Sequence, residues 1–255
     1  MVSHRSPGAG DPNCTREDKM AEKRTSQGPQ VKKIGIVGCG PMGSAYTQVC
    51  AQKDYYVVVS ETSNELLKKG LGLIESRLTE SVGKGELSEQ EKDSILARIK
   101  GTTSPQDFAD CDLVIESATE KMEVKKKIFA ELDDICPRNI VLGTNTSALS
   151  VLDMAMVTTR PDKVVGIHSS PLVAPLVEII KTIVASDETV EIAIGFSKSL
   201  GMETYVVQDV PGGIISRLIR PLIIGAIRMI ETGQATRDDI DKALTKGLGL
   251  SLIHI

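Results

Sequence analysis

No apolar run in this sequence approaches the ~18–20 residues that cross a bilayer as a helix, so a membrane span is not expected. There is no basic excess either. A net charge of −4 gives no general electrostatic reason to hold nucleic acid, and any anionic ligand must be held by local charge. The five cysteines (Cys14, Cys39, Cys50, Cys111 and Cys136) form no Cys-x-x-Cys pair and no zinc-ligand spacing. Thiols scattered in this way argue for a reduced, cytoplasmic protein and against a metal or disulfide framework. Residues 1–29 hold almost no apolar side chains and cannot bury a core, so a disordered tail is predicted there. They contain no apolar segment for a signal peptide, and Asp11, Glu17, Asp18 and Glu22 interrupt a mitochondrial presequence. Met20 offers an alternative start, with residues 1–19 then dispensable.

The whole chain is 41% hydrophobic and 25% charged over 255 residues, the composition of one or two globular domains. The stretch Lys33-Ile34-Gly35-Ile36-Val37-Gly38-Cys39-Gly40-Pro41-Met42-Gly43 organises it. An apolar strand runs into a Gly-x-Gly-x-x-Gly turn, then a helix from Ser44 to about Gln52. A second strand, Tyr55 to Val59, follows, and Glu61 comes just after it, about 20 residues beyond the turn. That order is a dinucleotide-binding fingerprint. Gly38 permits the tight turn, Gly40 lets the backbone approach a pyrophosphate, and Gly43 lets helix and strand pack closely. Pro41 and Met42 lead into the helix N-terminus, whose free N–H groups, that of Met42 among them, can face phosphate. Glu61 can accept from a ribose hydroxyl. Thr62 and Ser63 follow it rather than an arginine, which favours NAD over NADP.

Beyond Glu61, apolar spacing predicts helices over Asn64 to about Val82 and over Ser88 to Lys100, the second opened by a Ser88/Glu91 capping box. Strands are predicted at Leu113–Ile115 ending at Glu116, at Ile140–Leu142, at Val164–Ile167 ending at His168, at Leu176–Ile180 and at Thr204–Val207. Helices are predicted over Met122–Ile135 and Glu188–Leu200, with a short one after Gly143-Thr144-Asn145-Thr146-Ser147. The fold class is therefore α/β, a Rossmann-type doubly wound and mostly parallel sheet with a helical insertion. At Asp209-Val210-Pro211-Gly212-Gly213 the pattern changes to two helices, Ile214–Glu231 and Ala235 to about Lys246, the start of an all-α C-terminal domain. The expected boundaries are a tail over 1–29, an NAD-binding domain over 30–209, a helical unit over 210–249 and a non-native tail over 250–255.

From about Val31 to Gly249 the chain resembles the 3-hydroxyacyl-CoA dehydrogenases, including the 3-hydroxybutyryl-CoA dehydrogenases. The segments that carry the likeness are Gly38–Ser44, Cys111–Glu116, Glu120–Phe129, Asn145-Thr146-Ser147, Arg160–His168, Leu176-Val177-Glu178 and Pro211-Gly212. The resemblance implies NAD-dependent oxidation of an (S)-3-hydroxyacyl-CoA, or the reverse reduction, in fatty-acid or butyrate-type metabolism. It implies His168 as the base, Glu178 as the carboxylate that orients it, and Ser147 as a contact to substrate and nicotinamide. Glu120, Lys125 and Asn145 fall where the family approaches the cofactor, and Arg77 and Lys84 lie on the insertion that meets CoA. It also implies a homodimer formed through the helical domain. Plainer readings stand beside these: His168 as a structural strand-end residue, Ser147 as the cap of the next helix, Glu178 as an outward strand residue, and Arg77 and Lys84 as solvated surface.

Two departures set this chain apart. The family continues its histidine with Phe-Phe-Asn-Pro and has a longer loop, whereas here the segment is His168-Ser169-Ser170-Pro171-Leu172-Val173-Ala174-Pro175. The family's Pro-Gly-Phe-Ile-Val-Asn-Arg is Pro211-Gly212-Gly213-Ile214-Ile215-Ser216-Arg217, so Ser216 replaces a site asparagine. These changes leave open a related dehydrogenase of a non-CoA hydroxy acid and a non-catalytic NAD-binding paralogue. The end, Leu250-Ser251-Leu252-Ile253-His254-Ile255, departs from the family and can be encoded by a transposase-adaptor sequence. It reads as a non-native tail on a truncated chain, with the apolar helix over 214–230 expected to be left exposed.

Overall fold

The computed structural model describes residues 31–250. The tail predicted over 1–29, the start at Met20 and all of the expected non-native end except Leu250 lie outside the described residues. Within them the strands are β1 (Lys33–Val37), β2 (Tyr56–Ser60), β3 (Ile99–Thr102), β4 (Leu113–Glu116), β5 (Val141–Thr144), β6 (Val164–Ser169), β7 (Leu176–Lys181) and β8 (Glu203–Gln208). They form one sheet in the order β3-β2-β1-β4-β5-β6-β7-β8. All neighbours are parallel except β6 and β7. The chain winds outward from β1 to β3 and then returns to β4 on the other side of β1. That reversal opens a crevice at the carboxyl ends of β1 and β4, where ligands of such sheets bind.

Strands covered on both faces read as continuous apolar runs, and this is why Val57, Val59, Leu113 and Ile115 are buried on one face and Val58 and Val114 on the other. Helices α1 (Pro41–Gln52), α2 (Asn64–Gly83), α3 (Glu89–Leu96) and α6 (Asp187–Ser199) contribute to the layer on one face, with Tyr46, Ile74, Leu78 and Phe196 in its core. Helices α4 (Met122–Ile135) and α5 (Val151–Ala155) cover the other, with Phe129, Leu132 and Met154. Arg160 closes the C-terminal end of α4. Its guanidinium donates to Asp133 (2.8 Å) and to the carbonyls of Leu132 (3.3 Å), Asp133 (2.8 Å) and Cys136 (3.0 Å), satisfying orphan carbonyls of the last turn.

Three local expectations are corrected. Helix α1 starts at Pro41 rather than Ser44, because a first-turn N–H has no intrahelical partner and proline loses nothing there. The Ser88/Glu91 capping box is present, with Glu91 N–H donating to Ser88 Oγ (3.2 Å) and Ser88 N–H to Glu91 Oε2 (2.8 Å). The helix it opens ends at Leu96, however, and not at Lys100. Ile99 shares helical spacing with Ile95 and Leu96, yet pairing Ile99–Thr102 with the free edge of β2 satisfies backbone groups that a longer helix would leave open. The helix after Asn145-Thr146-Ser147 is capped by Ser150, whose Oγ accepts Asp153 N–H (3.1 Å), not by Ser147.

After β8 come α7 (Ile215–Glu231) and α8 (Arg237–Leu248). Neither holds a buried residue, and Leu218 is 70% exposed. Pro221 lies inside α7, where it removes one backbone donor. Among the described residues no helix is long and apolar enough to cross a membrane.

Candidate active site

The glycine turn is built as its spacing requires. Gly38 has φ +97°, and a Cβ there would sit 2.8 Å from the Ser117 carbonyl oxygen. A Cβ on Gly43 would overlap the Gly38 carbonyl, so only glycine lets α1 approach the turn. A Cβ on Gly40 would meet nothing within 4 Å, which leaves its backbone open to a ligand. Glu61 leaves the end of β2 and accepts Cys39 N–H (2.8 Å) with Oε1 and Thr62 N–H (3.1 Å) with Oε2. It therefore braces the glycine turn from the position expected to face a ribose. A cavity of about 500 Å³ opens here, lined by Gly38, Glu61, Thr62, Phe108, Ala118 and Lys127 among others. These residues fit an adenine dinucleotide: an open glycine at a helix N-terminus, a carboxylate beside it and an apolar cleft. Gly70 was not singled out by the sequence. It sits mid-helix in α2, where a Cβ would overlap the Cys39 carbonyl, so it too shapes the turn.

The second feature is a buried polar network at the ends of β4 and β5. Lys125 is 1% exposed and Glu116 0%. The lysine Nζ lies 2.7 and 2.8 Å from the two Glu116 oxygens, 3.4 Å from the Ala118 carbonyl and 3.4 Å from Glu120 Oε2. Glu116 also accepts Thr144 O–H (2.7 Å) and Ala118 N–H (2.7 Å). Glu120 Oε1 in turn accepts Thr146 O–H (2.6 Å), Ser147 N–H (3.0 Å) and Ala148 N–H (3.3 Å). Burial raises the Glu120 pKa, but Thr146, Lys125 and Ser147 outweigh it and hold the carboxyl below its ordinary range. Lys125 is thus beneath the cleft rather than on its surface, and Glu120 links it to the Asn145–Ser147 turn. Glu116 and Thr144 complete the set. Their only sequence signal was their place at two strand ends.

The third feature is at the carboxyl end of β6. The β6–β7 hairpin sets His168 directly opposite Glu178. His168 Nδ1 is 3.1 Å from Glu178 Oε2, with the imidazole 19% exposed and the carboxylate 1%. Glu178 faces inward, not outward as the plainer reading of its strand had it. Its Oε1 accepts Ile214 N–H (2.7 Å) and Tyr205 O–H (3.1 Å). Burial, with the Glu178 charge beside it, pushes the Tyr205 phenol up to about 12, so it remains a donor. Asn145 Oδ1 accepts Ser169 N–H (2.9 Å), joining the end of β5 to the residue after His168. Beneath them Tyr46 O–H donates to the Ile167 carbonyl (2.8 Å) and lies 2.5 Å from Ser169 Oγ.

The remaining sequence candidates are less tightly held. Ser147 is half-buried and is anchored through its backbone N–H. Ser216 is in the first turn of α7, two residues after the N–H that reaches Glu178. Arg77 is not a free cation: it donates to Ser44 Oγ (2.8 Å) and Gln48 Oε1 (3.1 Å) of α1. Its pKa is lowered by burial. Lys84 is exposed and paired with Glu80 at 2.7 Å. Asp209, which the sequence marked only as a boundary, accepts Val151 N–H (3.2 Å) and Leu152 N–H (2.7 Å) at the start of α5.

Gly213 carries a specific expectation. It has φ +46°, and a Cβ there would overlap the Glu178 carboxylate. Gly213→Ala is expected to displace Glu178 from His168 and to lower the melting temperature by about 2–8 °C, the effect of ~1–2 kcal/mol of left-handed strain. A thermal melt together with the crystal structure of the variant checks this; an unmoved carboxylate would contradict it.

Residues 33–210 match the 3-hydroxyacyl-CoA dehydrogenase NAD-binding domain, and residues 212–252 the C-terminal domain of the same family. The 3-hydroxybutyryl-CoA dehydrogenase of Bradyrhizobium diazoefficiens is 36% identical over 219 residues, covering 85% of this chain and 75% of that protein. The mitochondrial hydroxyacyl-coenzyme A dehydrogenase of Homo sapiens is 35% identical over 228 residues, covering 86% and 72%. The crystal structure of (S)-3-hydroxybutyryl-CoA dehydrogenase from Ralstonia eutropha superposes with a TM-score of 0.81 at 36% identity, covering 87% of this chain and 79% of that one. With the family matched across both of its domains and relatives above 30% identity over most of their length, the chain belongs to the 3-hydroxyacyl-CoA dehydrogenase family, whose members oxidise 3-hydroxyacyl-CoA with NAD.

Proposed function

We propose that this site interconverts a 3-hydroxyacyl-CoA and its 3-oxo product, with His168 as the base. The observation that supports this most is the His168–Glu178 pair at the carboxyl end of β6, on the same sheet edge as the glycine turn. Bound NAD supplies the acceptor for the two electrons and hydrogen that leave carbon 3. With Nδ1–H donated to Glu178, the Nε2 lone pair of His168 is free to take the hydroxyl proton, and Glu178 stabilises the imidazolium that results. In the reductive direction the same nitrogen returns the proton.

The other residues take supporting roles. Ser147, its backbone held by Glu120, offers its hydroxyl to substrate and nicotinamide. Asn145 keeps the end of β6 in place through Ser169. Glu120 and Lys125 hold the 145–148 turn in shape, and Gly38, Gly40, Pro41, Met42, Gly43 and Glu61 form the pyrophosphate and ribose end. Lys84 is exposed on the insertion but paired with Glu80, and Arg77 is held by the neutral side chains of Ser44 and Gln48, so both are candidates for the charged end of CoA. Residues 30–209 act as the NAD-binding domain and residues 210–249 as a helical unit. The exposed apolar side chains of α7 suit a second copy of the chain and support a homodimer. Free, buried Cys39, Cys50, Cys111 and Cys136 suit a reducing, cytoplasmic setting.

The altered segment after His168 leaves open a free hydroxy acid as a second substrate class, which an assay separates from an acyl-CoA. Oxidation of NADH in the presence of acetoacetyl-CoA, absent with free 3-oxo acids, is the expected result. Activity on the free acids alone would replace the CoA substrate, and NAD binding without any turnover would favour a non-catalytic paralogue. Ser216→Asn restores the amide the family carries and is expected to raise kcat about 5- to 150-fold, the equivalent of one polar contact of ~1–3 kcal/mol. Steady-state kinetics on the two forms measures it; an unchanged or lower kcat would show that residue 216 does not reach the reacting atoms.

A further inference from the structure

Glu178 has more anchors than the pairing with His168 requires. Residues 168, 178 and 205 stand in register across three adjacent strands, His168 opposite Glu178 and Glu178 beside Tyr205. One carboxylate oxygen faces the imidazole; the other receives the Tyr205 hydroxyl at 3.1 Å and the Ile214 amide at 2.7 Å. We propose that Tyr205 is a positioning residue for the reaction. By donating to Glu178 Oε1 it fixes the carboxylate plane so that Oε2 is presented to His168 Nδ1. This rests on the reading of His168 as the base.

The physical argument is one of rotation. A carboxylate held by a single donor can swing about its terminal torsion, which is broad. Two donors to Oε1, one from β8 and one from the backbone entering α7, remove that freedom. Gly213 makes the second donor possible, since any side chain there would collide with the carboxylate. The hydroxyl remains protonated because burial and the adjacent negative charge both disfavour phenolate. A carboxylate fixed in this way holds His168 in the tautomer that leaves Nε2 unprotonated.

The test uses the chain labelled with ¹⁵N-histidine, the imidazole signals being assigned with a His168→Ala variant. Tyr205→Phe removes only the hydroxyl. Tyr55→Phe is the control, because it removes a hydroxyl bonded to Ser199 Oγ (2.6 Å), outside the His168–Glu178 cluster. In the unaltered chain His168 is expected to be the Nδ1–H tautomer. In Tyr205→Phe it should become a mixture of tautomers, with kcat for acetoacetyl-CoA reduction about 3- to 10-fold lower and KM for NADH within about twofold. Tyr55→Phe should change neither. A Tyr205→Phe spectrum and kcat indistinguishable from those of Tyr55→Phe would overturn the assignment. Absence of turnover in the unaltered chain would count against the functional reading alone, and the imidazole spectrum would then decide the role of Tyr205 by itself.

Discussion

His168→Ala is expected to lower kcat for acetoacetyl-CoA reduction by about 10²- to 10⁴-fold, the range that a positioned general acid–base contributes. The affinity for NAD should be nearly unchanged. The split follows from where the residues stand. His168 projects from the end of β6, whereas the glycine turn, Glu61 and the cavity beside them belong to β1, β2 and β4. Removing the imidazole also leaves Glu178 with two of its three partners, Tyr205 and Ile214, so the buried carboxylate is not orphaned and the fold should survive. Initial rates with NADH and calorimetric titration with NAD measure the two quantities separately. A rate that survives the substitution would remove His168 from the chemistry. A parallel loss of NAD affinity would mean that the variant disturbs the sheet edge as a whole.

The largest effect on stability is expected at Lys125. Lys125→Met keeps most of the side-chain volume but strands Glu116, which is fully buried and held by Lys125 through both oxygens. Thr144 and Ala118 can still donate to that carboxylate, yet neither carries charge. An uncompensated buried charge of this kind costs about 3–5 kcal/mol. For a domain of this size that is a fall in melting temperature of roughly 6–20 °C. The double variant Glu116→Gln/Lys125→Met should recover much of the loss, because a neutral amide needs no counter-charge. A single variant that melts with the original chain would show that Glu116 has another way of losing its charge. The same variant should loosen the Asn145–Ser147 turn, since Lys125 also neighbours Glu120, so NAD binding should weaken along with stability.

Much of the architecture was legible because it rests on patterns that depend only on neighbours in the chain. Gly38, Gly40 and Gly43 are required by backbone conformation and close approach. The strands β1, β4 and β6 are short apolar runs between turn signals, and Ser88 and Glu91 cap α3 through contacts three residues apart. The order of these features indicates a dinucleotide, and their resemblance to the 3-hydroxyacyl-CoA dehydrogenases, carried in part by the segments around Ser147, His168 and Glu178, adds the 3-hydroxyacyl group. The misreadings have a common cause. Ile99 satisfies helical spacing equally well, and only the free edge of β2 makes it a strand. Ser147 stands where a cap is plausible, but Ser150 has the backbone geometry for it.

What the sequence by itself determined is therefore the cofactor fold and the family, and through that likeness it proposed His168 and Glu178 as a pair. Which groups hold the dyad was decided by tertiary structure alone. Tyr205 is 27 positions from Glu178, and Ile214 is 36 positions away. No periodicity links them, because the link is made by the register of three strands and by the close approach that Gly213 allows. The burial of Lys125 on Glu116 and the turning of Arg77 onto α1 are of the same kind. A charged side chain reads as surface until the packing of distant elements removes the water around it.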